Sequence, residues 1–152
     1  MDNSLTTQVR KLSQQYAYTS IQMHEAVART AGLPGTDHKY LGFLLQKGQM
    51  TAGELSALTG LTTGAVTGLI DRFEKKKLVK REFVEHDRRK VIIVPNTKNI
   101  MTALVPLYKE YRSESEKLFE SFSGKELKAI ETYFARAIEI MNETTSKLNN
   151  KK

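Results

Sequence analysis

The stretch from Thr51 to Pro95 constrains the fold most, because helix-making, helix-ending and strand-making signals follow one another there at short spacing. Thr51 and Glu54 fit a capping box, in which a threonine hydroxyl takes a free amide at a helix start and the glutamate returns to the threonine amide. A short helix is expected from about Ala52, with Leu55 and Leu58 on its inner face. Gly60 ends it, as a tight turn between two helices requires. Thr62 or Thr63 caps a second helix. Its apolar residues Val66, Leu69, Ile70 and Phe73 fall at i, i+3, i+4 and i+7, the stripe of a helix lying on a core. The opposite face carries Thr63, Gly64, Thr67, Gly68 and Asp71, mostly small or hydroxyl-bearing. Such a slim face with short donors and acceptors suits the DNA major groove. Arg72 stands beside it, within reach of a phosphate or a guanine edge. Two β-rich runs, KREFV and KVIIV, then flank a polar turn from Glu85 to Lys90. They read as a hairpin with a basic tip, so the stretch as a whole reads as a winged helix-turn-helix.

The charge supports a DNA-facing surface. The net charge is +7 over 152 residues. Residues 71–90 hold nine basic and five acidic side chains, whereas residues 98–149 hold eight of each. Positive charge thus concentrates at the end of the second helix and in the hairpin, as phosphate contact demands. Lys75, Lys76 and Lys77 also suit a helix C-terminus by its dipole.

Several motifs in this stretch resemble the multiple-antibiotic-resistance regulator (MarR) family of bacterial transcription factors. They are the T-x-x-E-L helix start at Thr51, the T-x-x-x-V-T-x-L-I-D-R helix from Thr62 to Arg72, the E-K-K run at Glu74 and the D-R-R of Asp87, Arg88 and Arg89. They cover about a third of the chain, and the flanking helical pattern extends the resemblance to nearly all of it. It implies a mainly α fold with a small β-hairpin wing and N- and C-terminal dimerisation helices. It also implies a homodimer on double-stranded DNA. The residues expected at DNA are Thr51, Thr62, Thr63, Gly64, Thr67, Gly68, Asp71, Arg72, Lys75, Arg81, Asp87, Arg88, Arg89 and Lys90. Arg89 is expected to enter the minor groove, oriented by a salt bridge from Asp87, with Arg88 and Lys90 at phosphates. Two positions depart from the family pattern. Gly68 replaces a basic or larger polar residue. Lys77 stands where a glycine commonly ends the helix, so it must adopt a left-handed conformation or extend the helix.

The remaining sequence reads as helices around this lobe. Residues 4–31 form one, with Leu5, Val9, Leu12, Tyr16, Met23 and Val27 on a stripe, ended by Gly32 to Gly35. Asp37 caps the next, which runs to about Lys47 with Tyr40, Leu41, Leu44 and Leu45 apolar. Residues 98–122 form another, in which Pro106 predicts a kink or a break. Ser123 and Glu126 form a second capping box before a last helix with Leu127, Ile130, Phe134, Ala137, Met141 and Leu148 on one side. The chain is thus expected to be one MarR-like domain over 1–152. Residues 36–95 form the DNA-binding lobe, and 4–31 with 97–149 form the dimerisation region.

There is no cysteine, which removes disulfides and thiol switching. No apolar run is long enough to span a bilayer, and the N-terminus has no apolar signal region, so a cytoplasmic protein without membrane contact is expected. No dinucleotide fingerprint, P-loop or zinc-protease motif is present, so an enzyme is not expected, nor is a cofactor. The resemblance implies a small aromatic or phenolic effector, with Tyr16, Met23, His38, Tyr40 and Tyr111 as candidate contacts. His24, His38 and His86 are the only histidines, and no two share a metal-binding spacing. A metal-responsive regulator of the same fold and a winged-helix protein-interaction module are the alternatives.

Overall fold

The stripe Val66, Leu69, Ile70 and Phe73 is buried at the centre of the core, as its spacing predicts. In the computed structural model, which describes residues 3–151, these four side chains lie on α4 (Thr63–Lys75). Each contributes about 1.5–3 kcal/mol by leaving water. Around them pack Leu41 and Leu44 of α2 (His38–Lys47), Leu55 of α3 (Ala52–Thr59), and Ala28 of α1 (Asn3–Thr30). Ile100 of α5 (Thr97–Glu120) closes the cluster. The last helix, α6, spans Gly124–Asn149. The chain divides into two compact units, one ending at Tyr108 and the other beginning at Lys109. Among the described residues no helix is long and apolar enough to cross a membrane.

Both capping boxes form. Thr51 accepts the Glu54 amide at 3.1 Å while its own amide donates to the Glu54 carboxylate at 2.9 Å. Ser123 and Glu126 reproduce the arrangement at the start of α6, and the Ser123 hydroxyl and then the Ser123 amide, both donating to the Glu126 carboxylate at 2.7 Å, hold that carboxyl below its usual range. Thr62 rather than Thr63 caps α4, accepting the Ala65 amide at 3.3 Å. Asn96 starts α5, its side-chain oxygen accepting the Asn99 amide at 3.0 Å.

Several expectations need correction. Asp37 stands at the N-cap position of α2, but its side chain makes no capping hydrogen bond. It ends a 3-10 turn, Gly35–Asp37, is buried, and binds Arg72. Leu58 is 41% exposed, so it does not belong to the inner face of α3. Of the two outcomes expected at Pro106, a kink or a break, the break does not occur, since α5 runs through it. Ile100 and Leu104 pack against the core just before it, and that packing outweighs one lost helical hydrogen bond. The sheet has three strands, not two. A two-residue strand β1 (Met50–Thr51) lies beside β3 (Asp87–Pro95), and β2 (Val79–Val84) lies on the other side, all antiparallel. The turn of the hairpin is only Glu85-His86. Phe83 pairs with Val91 but Val84 pairs with Asp87, so Arg88, Arg89 and Lys90 are extra residues in β3, forming a bulge.

Lys77 adopts the left-handed conformation, with φ 57°. Its amide donates to the Glu74 carbonyl and that of Leu78 to the Phe73 carbonyl, both at 2.9 Å. This is a Schellman ending, in which buried Leu78 and Phe73 make the accompanying apolar pair. A side chain at that φ costs about 1 kcal/mol relative to glycine. Lys77→Gly is therefore expected to stabilise the protein and to raise its melting midpoint by about 2–4 °C. An unchanged or lower midpoint in a thermal melt contradicts that reading of the helix end.

Candidate DNA-binding surface and an adjoining cavity

Burying one face of α4 leaves the other to solvent. Thr63, Gly64, Thr67 and Asp71 are exposed and Gly68 is half-buried. The Thr67 hydroxyl donates to the Thr63 carbonyl at 3.0 Å. Nothing lies within 4 Å of where a Cβ would stand on Gly64, and at Gly68 only an Arg72 guanidinium nitrogen does, at 3.7 Å. The fold itself thus has room for side chains at both glycines. Thr51 and Thr62, also expected at DNA, are engaged as helix caps.

The charged residues fall into two groups. Arg72 is held by Asp37, donating from Nε and Nη2 to the two carboxylate oxygens at 3.1 Å each. Arg81 joins β2 to α4. It donates to Glu74 at 2.7 Å and to Asp71 at 2.5 Å, and its backbone amide donates to Glu74 at 3.1 Å. The Asp71 hydrogen bond, then Glu74, raises its pKa above the already high guanidinium range. Three residues expected to face DNA, Asp71, Arg72 and Arg81, therefore tie the lobe together. Lys75, Arg89 and Lys90 form the other group. They are exposed, and their cationic groups have no partner among the described residues. Asp87 bonds the backbone amide of Arg89 at 2.9 Å rather than its guanidinium. It thereby fixes the bulge from which Arg89 projects. The side chain of Arg88 lies outside the described residues. Phe83 of β2, paired with Val91 of β3, is 66% exposed, a surface aromatic that the expected contacts omit.

Within the first unit, α1, α2 and α5 enclose a cavity of about 350 Å³. Of the five residues expected to contact an effector, only His38 lines it. Tyr40 is buried in the core, while Tyr16 and Tyr111 are 57% and 46% exposed. Met23 is half-buried on α1. His24 and Tyr108 line the cavity instead, along with Val27, Leu41 and Leu104. Tyr108 belongs to the apolar stripe of α5, four residues after Leu104, but periodicity does not say which stripe residues reach a cavity. His24 Nδ1 lies 2.5 Å from the Tyr108 hydroxyl. The His24 and His38 rings are stacked, 5.5 Å apart and 15° from parallel. His38 Nδ1 lies 3.0 Å from the Gly35 carbonyl oxygen. Burial, and then the neighbouring His38, lowers the His24 pKa. Burial raises that of Tyr108. Among the described residues no three histidine, aspartate or glutamate side chains gather as metal ligands do. His86, in the wing turn, is far from the other two in sequence.

The comparisons with known proteins agree with this geometry. A family model described as MarR family matches residues 31–90. The HTH-type transcriptional regulator YcgE of Bacillus subtilis is 38% identical over 129 residues, which span 85% of this chain and 83% of YcgE. A MarR family protein from Bacillus stearothermophilus is similar in structure over 93% of this chain and 99% of its own, with 25% identity and a TM-score of 0.72. A mutant of S. aureus MepR, solved bound to an oligodeoxyribonucleotide, matches over 92% of this chain and 99% of its own with a TM-score of 0.60, and at 17% identity this likeness is one of fold alone. Both the family and these relatives are regulators rather than enzymes. The chain belongs to the MarR family and carries the winged helix-turn-helix of a DNA-binding transcriptional regulator.

Proposed function

We propose that this protein is a ligand-responsive, homodimeric repressor that acts in the cytoplasm on a pseudo-palindromic operator in double-stranded DNA. The observation that carries the DNA contact is the slim face of α4 beside the unpartnered cations of the wing. A glycine inside a helix costs about 1 kcal/mol relative to alanine. The fold has room for a side chain at Gly64 and Gly68, so the reason for glycine lies outside the chain, in close approach of a groove. Thr63 and Thr67 then face base edges, Lys75 and Lys90 face phosphates, and Arg89 enters the minor groove. Asp71, Arg72 and Arg81 position α4 and the wing for those contacts.

A two-fold dimer sets two such helices about one DNA turn apart, roughly 10 bp between half-site centres. Covering promoter DNA blocks polymerase. A small aromatic or phenolic effector in the cavity between α1, α2 and α5 shifts the population toward a spacing that no longer fits successive grooves. The test is fluorescence anisotropy on the DNA upstream of the protein's own gene, against scrambled DNA, at two salt concentrations. Tight, salt-sensitive and selective binding supports the reading. Weak binding, equal on both DNAs, counts against it. Arg89→Ala is expected to weaken selective binding by about 1–3 kcal/mol. Lys151→Ala serves as the control, and equal small effects of the two undo the wing assignment.

A further inference from the structure

We propose that an acid entering the cavity between α1, α2 and α5 binds together with one proton, which His38 takes up. This rests on reading that cavity as the effector site. A carbonyl oxygen only accepts, so the His38 Nδ1 that faces the Gly35 oxygen at 3.0 Å carries the ring proton. In the neutral ring Nε2 is then bare. On His24 the partner of Nδ1 is a hydroxyl, which can donate. The His24 proton sits on Nε2 when Tyr108 donates and on Nδ1 when Tyr108 accepts. In both cases the atom that neutral His38 leaves for an occupant is a bare Nε2, an acceptor.

A carboxylate or phenolate oxygen has lone pairs and no proton. Against the bare Nε2 of His38 it is repelled, in a cavity lined otherwise mainly by apolar side chains. A proton on that nitrogen turns the acceptor into a donor and supplies the compensating charge. His24 stays neutral, because burial and the neighbouring ring both disfavour its cation. Two stacked imidazolium rings at 5.5 Å repel each other, so one proton enters for each anion.

The surrounding charges explain why that proton comes with the acid. His38 faces His24 on α1 and Tyr108 on α5. Lys39, its neighbour on α2, is the one charged residue besides the histidines among those lining the cavity, but its ammonium lies over the Tyr40 ring, 5.1 Å from the centroid. Asp37 is bound to Arg72 of α4. Glu25 of α1 lies 3.9 Å from Arg29. Both nearby carboxylates are thus already matched with arginines. The anion itself is the partner that favours a charged His38.

The probe is 2-naphthoate, an apolar body with one carboxylate, measured by isothermal titration calorimetry on the full chain at pH 7 and pH 8. At each pH the titration is run in phosphate and in Tris, whose ionisation heats differ. One proton per ligand makes binding about tenfold weaker at pH 8 than at pH 7. The observed heat then differs between buffers by the difference of their two ionisation heats, counted for one proton per ligand. The neutral 2-naphthamide is expected to show neither effect, and His38→Gln to lose both with naphthoate. Naphthoate that binds wild type equally at both pH values, with buffer-independent heat, overturns the proposal and leaves the effector site standing, provided that Leu45→Trp, a larger side chain at a position lining the cavity, removes the binding. If neither probe binds wild type at either pH, the effector-site reading fails and the proton uptake falls with it.

Discussion

Arg72→Ala is expected to lower the folding free energy by about 2–4 kcal/mol, because it leaves the buried carboxylate of Asp37 without its partner. Asp37 is 1% exposed and receives both of its side-chain hydrogen bonds from Arg72. The arginine side chain itself is 44% exposed, so water screens part of the pair, and the cost falls below that of a fully buried one. Asp37 lies in the 3-10 turn that leads into α2, and Arg72 lies near the end of α4. The bidentate pair thus sets α4 against the start of α2. Urea denaturation at matched protein concentration measures the loss, since association contributes to apparent stability. The double variant Asp37→Ala with Arg72→Ala is expected to recover part of it, because no orphaned charge remains. A different result identifies a different role. If Arg72→Ala leaves stability within 0.5 kcal/mol or so of wild type, as at an ordinary surface site, yet weakens DNA binding, the residue is a DNA contact after all.

Arg72 also shows where sequence reading stops. Its place on α4 follows from helical spacing, and so does its nearness to the DNA-facing residues. Its partner is 35 positions away, and nothing in local periodicity joins a turn before one helix to the end of another. Local chemistry was legible. The two capping boxes and the buried stripe of α4 each depend on residues within a few positions of one another, whereas at Lys77 the sequence left two helix endings open, of which the structure takes the left-handed one. The bulge was half legible. The basic run was visible, but a two-residue turn at Glu85-His86 is fixed by the pairing of β2 with β3, which decides that Arg88 to Lys90 are the extra residues. β1 has two residues, too few for any alternation to register, and exists because β3 offers it an edge. The cavity was the least legible feature. Which residues line it depends on how α1, α2 and α5 pack, so the tyrosines that look suited to an aromatic ligand lie elsewhere. His24 and Tyr108, both unremarked as ligand contacts in the sequence, meet at 2.5 Å.

Ile138→Glu combined with Met141→Glu is expected to yield a folded monomer whose affinity for operator DNA is reduced by about 10²–10⁴-fold. Phe134, Ile138, Met141 and Leu148 follow one another at helical spacing on α6 and are 45–62% exposed, and no residue of α6 is buried. Leu5, Val9, Leu12 and Tyr16 do the same on α1 at 45–63%. Apolar stripes of that length mark an association surface. Two glutamates on the α6 stripe must be desolvated if it meets another chain, at a cost that greatly exceeds the lost apolar contact. The helix itself keeps good formers at both positions, so folding of the first unit is expected to survive. Without association each recognition helix binds its half-site alone, and the gain from linking two half-sites disappears. Sedimentation analysis reads the mass and anisotropy reads the affinity. A double variant that remains dimeric and binds DNA as wild type does places the dimer contact off this face of α6. A monomer with unchanged affinity removes the two-half-site operator.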